Sequence, residues 1–363
     1  MAKFNYDNKY WLWLSSMEFI GSAAARRIMD YFETPEQLFY ADSKQMQESG
    51  VLNEKEIEYI CSTRNQFDFN KNIEYLEKNS ISFVTVENNN YPDKLRNINN
   101  KPMSLYVKGQ LPQNSINVSV VGARGCSNYG RQISRQIGKE LAELDIGVIS
   151  GMARGIDTYA HTGAIEAGGK TYAVLGCGVD VCYPSENIET YEDIVNNGGI
   201  ISEFPVGSQP IARHFPMRNR IISGLSDMVI VVEARAKSGS LITAEAALNQ
   251  GVDVMAVPGR LTDPLSEGCN SLIRDGAFIF TSPQDIADIF GLKKCKKSEI
   301  LVKGLEKDFE VLYSEVTLLP ISLEELVAKT GINTGKIYEM LLRLQMDGLV
   351  YEPVKNYYAR KYN

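Results

Sequence analysis

The amino-acid sequence predicts an α/β protein: a doubly wound parallel sheet set between a small helical module and a C-terminal helix-turn-helix with a wing. Three observations carry this reading. From Asn117 onward a short β-prone run, a Gly-rich loop and a helix repeat six times, with strands expected near 117–122, 146–150, 171–176, 199–203, 227–233 and 252–257. Such alternation builds a parallel sheet covered by helices on both faces. Before it, Trp11, Leu12 and Leu14, then Ile28, Tyr31, Phe32 and Leu38, recur at helical spacing with Ser and Asp between them. After it, Ile337, Met340, Leu341 and Leu344 fall at i, i+3, i+4 and i+7, the pattern of one buried helix face.

In chain order, residues 1–80 form the expected helical module. Residues 81–116 read as a connecting segment, where Asn88 to Asn90, Pro92, Pro102 and Pro112 separate short β-prone pieces such as Ile81 to Val86 and Ser104 to Val107. Residues 117–292 are the sheet domain. Residues 293–300 are a basic linker carrying Lys293, Lys294, Lys296 and Lys297, and residues 301–363 are a third domain. Within that domain Ser322 to Lys329 predicts a helix, Thr330 to Thr334 a turn, and Gly348 the end of a second helix. Val350 to Tyr358 predicts a hairpin around Pro353 and Asn356. Eight Lys or Arg against nine Asp or Glu from Leu301 to Asn363 leave both DNA contact and protein contact open for it.

Composition excludes several classes. The chain has 363 residues, 44% of them hydrophobic, enough for about two to three domains with real cores. No apolar run approaches the roughly 18 residues of a membrane span, and Asp7, Lys9 and Glu18 interrupt the stretch where a signal peptide would be apolar. A cytoplasmic protein with no membrane partner is expected. The six cysteines are scattered, and Cys177 and Cys182 lack the spacing of a redox or zinc pair, so neither disulfide nor metal is expected. A net charge of −7 argues against coating nucleic acid by bulk charge and leaves room for a local basic groove.

In a doubly wound sheet the loops after the strands line the ligand crevice. Here the first strand runs into Gly122-Ala123-Arg124-Gly125-Cys126-Ser127-Asn128-Tyr129-Gly130, and the second into Gly151-Met152-Ala153-Arg154-Gly155-Ile156-Asp157. The third runs into Gly176-Cys177-Gly178, with Tyr183 following. The fourth leads to Arg213-His214-Phe215-Pro216-Met217-Arg218-Asn219-Arg220, and the fifth to Lys237-Ser238-Gly239-Ser240. Glycines let a ligand backbone approach, and arginines offer planar forks for phosphate oxygens. Between Asn117 and Phe290 thirteen Lys or Arg stand against twenty Asp or Glu, so positive charge focused in these loops on an acidic body predicts a polyanion groove. With the common strand order 3-2-1-4-5-6, the Arg124 loop would face the Arg213 to Arg220 segment. Tyr129, Tyr183 and Phe215 would then be placed to stack bases.

Catalytic readings find less support. Gly169-Lys170-Thr171 has Ala164 where a P-loop needs its first glycine and runs into a strand. The histidines are His161 and His214; a Ser150, His161, Asp157 triad lacks the nucleophile elbow. Glu203 and Glu233 end strands and offer a base for a phosphoribohydrolase-type nucleotide hydrolase, or acceptors for the arginines. A winged-helix regulator, reading duplex DNA through the helix from Gly335 to Asp347, is a third reading.

These same stretches resemble the DNA-processing protein A family, also called DprA or Smf, over nearly the whole chain. The likeness runs through Val121-Gly122-Ala123-Arg124 to Gly130, Ser150 to Asp157 with Ala160-His161, Phe215 to Ser226, Lys237 to Ala244, and Gly268-Cys269-Asn270-Ser271-Leu272-Ile273. The resemblance implies a Rossmann-like fold between a helical module and a winged helix. It implies a homodimer without enzymatic activity or cofactor, which binds and protects single-stranded DNA and loads RecA recombinase during natural transformation. It makes Arg124 the main phosphate-gripping residue, with Ser127, Gly151 and the Ser238-Gly239-Ser240 loop in the same pocket and Arg218 and Arg220 beside them. Leu272, Ile273 and Phe278 are the expected dimer surface. Two departures stand out: Ile20-Gly21-Ser22 lacks the second glycine of a helix-hairpin-helix, and Ser185 replaces a basic residue.

Overall fold

In the computed structural model, which describes residues 4–292, 307–317 and 320–360, six short helices precede the first strand: Lys9–Ser15, Ser22–Phe32, Pro35–Tyr40, Ser43–Glu48, Glu54–Gln66 and Phe69–Lys78. Local chemistry sets their starts. Thr34, Asp42, Asn53 and Asp68 each accept an N-terminal amide, and Asp42 with Gln45 and Asn53 with Glu56 complete capping boxes. Tyr31, part of the apolar pattern, stays half exposed, whereas Ile28 and Leu38 are fully buried.

Nine strands make one sheet: β1 (Ile81–Thr85), β2 (Ser104–Gly109), β3 (Asn117–Val121), β4 (Gly147–Ser150), β5 (Thr171–Val174), β6 (Gly199–Ser202), β7 (Met228–Val231), β8 (Asp253–Ala256) and β9 (Phe278–Ile279). Their order is β1-β2-β6-β5-β4-β3-β7-β8-β9. The pairs β1/β2 and β2/β6 are antiparallel and the others parallel. Two expectations change here. The segment 81–116 contributes two strands that extend the sheet from β6. The order of the six parallel strands is 4-3-2-1-5-6 in place of 3-2-1-4-5-6, because the fourth pairs outside the third, so the switch point falls between β3 and β7.

Alternation along the strands divides the interior. Phe83, Tyr106, Ala173 and Ile200 join Trp13, Ile28, Leu38, Met46, Ile60 and Leu76 in one core. Their neighbours Val84, Leu105, Val107, Val174 and Ile201 join Leu95, Ile221, Ile222 and Val229 in the other. The helical module is therefore packed on the sheet. Residues Met1–Ile289 cluster as one compact unit and Phe290–Asn363 as a second.

The second unit has its own core of Phe309, Leu312, Leu326, Ile337, Met340, Leu341, Leu344, Val350 and Tyr358. It comprises the helices Lys307–Glu315, Leu323–Thr330 and Thr334–Met346, with β10 (Ile321–Ser322), β11 (Val350–Val354) and β12 (Tyr357–Arg360) in the order β10-β12-β11. Ser322 and Glu325 form a capping box, and Gly331 ends that helix in the left-handed region at φ 68°. The basic linker 293–300 lies outside the described residues.

The helices Asn128–Glu143 and Ile156–Glu166 approach backbone to backbone. A Cβ on Gly138 would stand 2.1 Å from the Ala160 carbonyl oxygen, and one on Gly163 would stand 1.9 Å from that of Arg135. Gly138→Ala and Gly163→Ala should each lower stability by about 1–3 kcal/mol, read as a lower urea midpoint at unchanged slope. Wild-type midpoints in both variants would show that the helices part without cost.

Candidate nucleic-acid interface

The carboxyl ends of β3 and β7 converge on one carboxylate. Glu233 is buried, its two oxygens accept from the Ser127 amide at 2.8 Å and from the Ser127 hydroxyl, and its carbonyl accepts from the Ala123 amide at 2.7 Å. Ser127 in turn caps the Asn128–Glu143 helix by accepting from the Gly130 amide at 3.0 Å. Glycine is required around this knot: a Cβ on Gly122 would meet Ile156 at 2.6 Å, and one on Gly130 would meet Glu233 at 2.3 Å. Gly155, at φ 80°, lies with its Cβ direction 2.4 Å from the Ala123 carbonyl oxygen and locks the next loop onto the first.

Beside this knot opens a groove of about 630 Å³, lined by Gly122, Arg124, Asp157, Tyr183, Phe215, Arg218, Asn219, Ser238, Gly239 and Ser240, with Ile222, Ile242 and Thr243 in its wall. Arg124 is exposed, and its guanidinium lies over the Phe215 ring at 5.2 Å. Tyr183 meets the same ring at 5.7 Å between centroids with an interplanar angle of 36°. Arg124 has no carboxylate partner among the described residues. The Gly239–Asn249 helix points its first turn here, and Ser238 accepts from the Ser240 amide at 3.3 Å.

Beneath the groove lies a second guanidinium. Arg218 is 4% exposed and donates to the Val174 carbonyl, while its Nε has no partner. Burial pushes it down to about 10; the Asp157 carboxylate opposes that shift and Arg124 adds to it. Burial raises Asp157, against the Arg218 charge and the amides of Ala153 and Gly151. Gly151 supplies the space, since a Cβ there would stand 2.0 Å from Arg218. The groove floor is thus positive, with two guanidinium groups against one carboxylate.

Other expected contacts are placed elsewhere. Arg220 donates to Glu203 and, at 2.9 Å, to the Ser22 hydroxyl, so it ties the helical module to the sheet. Arg213 is exposed but borders a small cavity with Glu18, Trp11 and Met217. Arg154 stands near the groove and is ion-paired with Glu186. Gly178 faces Asp180 and the Pro205 carbonyl. Gly125, Tyr129 and Lys237 are exposed outside the groove wall. The Ser127 side chain is spent on Glu233 and the helix cap. Of the expected dimer residues, Leu272 and Ile273 pack half-buried against the core, and Phe278 is 47% exposed on the edge strand β9.

Among the described residues the catalytic groupings considered from the sequence do not assemble. Glu203 and Glu233 are both outside the groove wall. Ser150 donates to the Val120 carbonyl at 2.6 Å. His214 stacks on Phe204 at 3.8 Å, and among the described residues no cluster of His, Cys, Asp or Glu could hold a metal. No described helix is long and apolar enough to cross a membrane.

The fold and groove define a Rossmann-like α/β protein with an arginine- and aromatic-lined cleft at its switch point. The profile of the family described as DNA recombination-mediator protein A matches residues 82–291. Protein Smf of Synechocystis sp. is 31% identical over 98% of this chain and all of that protein. DNA processing protein DprA of Streptococcus pneumoniae is 46% identical over 54% of this chain and 70% of that protein. The X-ray structure of the S. pneumoniae DprA superposes with a TM-score of 0.65 at 36% identity, covering 77% of this chain and 97% of that one. A Helicobacter pylori DprA structure, titled for its single-stranded DNA binding mode, gives 0.53 at 30% identity, covering 57% and 95%. The chain belongs to the DNA recombination-mediator protein A family.

His161 offers a pH test of the scaffold under the groove. Its Nδ1 lies 2.6 Å from the Thr171 hydroxyl, which itself donates to the Val148 carbonyl at 3.0 Å, so Nδ1 carries the proton. Burial holds the imidazole down to about 3 from 6.5, so the folded state resists protonation where the unfolded chain accepts it. This stability is complete above pH 6.5 and is lost as pH falls toward 3. Asp157 and Glu203, raised by burial, act in the opposite sense and are common to a His161→Gln variant. Between roughly pH 6.5 and 5 the wild type should lose about 2 kcal/mol more than His161→Gln, measured by urea unfolding. Parallel pH profiles would remove His161 as the source.

Proposed function

We propose that this protein is a non-enzymatic single-stranded DNA-binding recombination mediator, which protects incoming strands and loads RecA recombinase during natural transformation. The observation that carries the reading is Arg124, exposed, free of carboxylates among the described residues, and stacked on Phe215 beside Tyr183 at the mouth of a positive groove. A phosphate on Arg124 places the adjoining base beside the aromatic pair, and stacking reads no base edge. The H. pylori relative, titled for its single-stranded DNA binding mode, supports the same ligand. Homodimerisation through Leu272, Ile273 and Phe278 and a DNA or protein contact by the C-terminal unit belong to the same proposal.

Binding of labelled oligo-dT and of an equal-length duplex across several salt concentrations tests it. The single strand should bind in preference, with log K falling linearly against log salt. Arg124→Ala should reduce the magnitude of that slope by about 0.7. Phe215→Ala should cost about 1–3 kcal/mol at nearly unchanged slope. An Arg124→Ala protein with full affinity and slope would sink the assignment, and preference for one duplex sequence would favour a regulator. RecA loading is then read as RecA ATP hydrolysis on strands already covered by a single-strand-binding protein.

A further inference from the structure

The groove wall at Ser238 is continuous with two loops that carry cations outside the groove. After β7 the Ser238 amide donates to the Arg235 carbonyl at 3.1 Å, so Arg235 and Lys237 belong to one tight turn that ends at the wall. After β8 the chain runs through Arg260. Backbone contacts set these positions in a row. Val121, Val231 and Ala256 are in register across β3, β7 and β8. Beyond the strand ends the Ala123 amide donates to the Glu233 carbonyl and the Ala234 amide to the Leu265 carbonyl, each at 2.7 Å. Gly259 lies against Ser266, where a Cβ would stand 1.9 Å from the hydroxyl oxygen. Arg124, Arg235 and Arg260 each directly follow one of these contacts, at the ends of three adjacent strands spaced about 4.8 Å apart.

Arg235, Lys237 and Arg260 are exposed, and none has an ion-pair partner among the described residues. The two carboxylates of the loops 232–238 and 257–266 are withdrawn. Glu233 is buried on Ser127, and the half-buried Asp263 accepts from the Leu265 amide at 2.9 Å. The next exposed carboxylate in sequence is Glu267, which opens the following helix. In a domain with thirteen Lys or Arg against twenty Asp or Glu, three unpaired cations beside the groove are focused charge that suits a polyanion.

We propose that these loops form a second phosphate-contact strip, on which a single strand held at Arg124 continues across the ends of β7 and β8, with Arg235 and Arg260 each neutralising one phosphate. This rests on the single-strand reading of the groove. Neither loop has an aromatic side chain, so the strip grips the sugar-phosphate backbone and stacks no base.

Strand length separates the strip from the groove. Oligo-dT of about 4 nucleotides occupies the groove alone, whereas one of about 16 reaches both. On the longer strand Arg235→Gln with Arg260→Gln should reduce the magnitude of the slope of log K against log salt by about 1.4, and either change alone by about 0.7. On the shorter strand the double variant should match the wild type in affinity and slope. Arg235→Lys with Arg260→Lys keeps both charges and should keep the wild-type slope at both lengths, which a merely structural role for the arginines would not predict. A double Gln variant with the wild-type slope on the longer strand, or with an equal loss at both lengths, overturns the strip and leaves the groove standing. A wild type that binds neither strand overturns both.

Discussion

Everything at the functional face depends on how closely β3 and β7 can end side by side. The Glu233 carboxylate fills the space between them and saturates the amide and hydroxyl of Ser127, so the Arg124 loop is pinned where it meets the following helix. A buried carboxylate is tolerable only when its oxygens are occupied, and a loop backbone supplies donors without adding bulk. Glycine is the geometric counterpart, because a Cβ at 130 would push the carboxylate off its partners and one at 122 would meet Ile156 and the Glu233 backbone carbonyl. Between the fixed ends, Arg124 is the basic side chain that projects from the loop.

The arginines divide by depth. Arg124 is at the surface, Arg218 lies under it with one nitrogen unpartnered, and Arg220 is turned away into an ion pair with Glu203. Burying Arg218 is unfavourable in isolation, and the nearby Asp157 compensates only part of that penalty. The residual positive potential favours an anion above it, and a floor already in place avoids reorganisation when one arrives.

The six parallel strands and the glycine-punctuated loops after them were legible because strand periodicity and turn chemistry are local. Strand order was not, since the β1/β2 pair is added beyond β6 through the β2/β6 pairing, which joins residues about a hundred apart in the chain. The fate of Arg218 and Arg220 was half legible. Two residues apart on one helix, they project to opposite sides, so they could not share a phosphate. Which one faced the groove required the position of Ser22 and Glu203, and those come from other parts of the chain. Glu233 was legible as a base or as an acceptor for the arginines, but an acid at a strand end gives no sign that a neighbouring loop will consume it.

The shared core beneath the helical module has a consequence for synthesis. Trp13, Ile28, Leu38 and Leu76 are covered by side chains from β2, β5 and β6, the last of which ends at Ser202. A nascent chain therefore carries its first helices with an uncovered apolar side until more than half of its length has been made. Such an interval of exposure invites chaperone capture and makes completion of the sheet's middle strands, rather than the early helices, the committing event in folding.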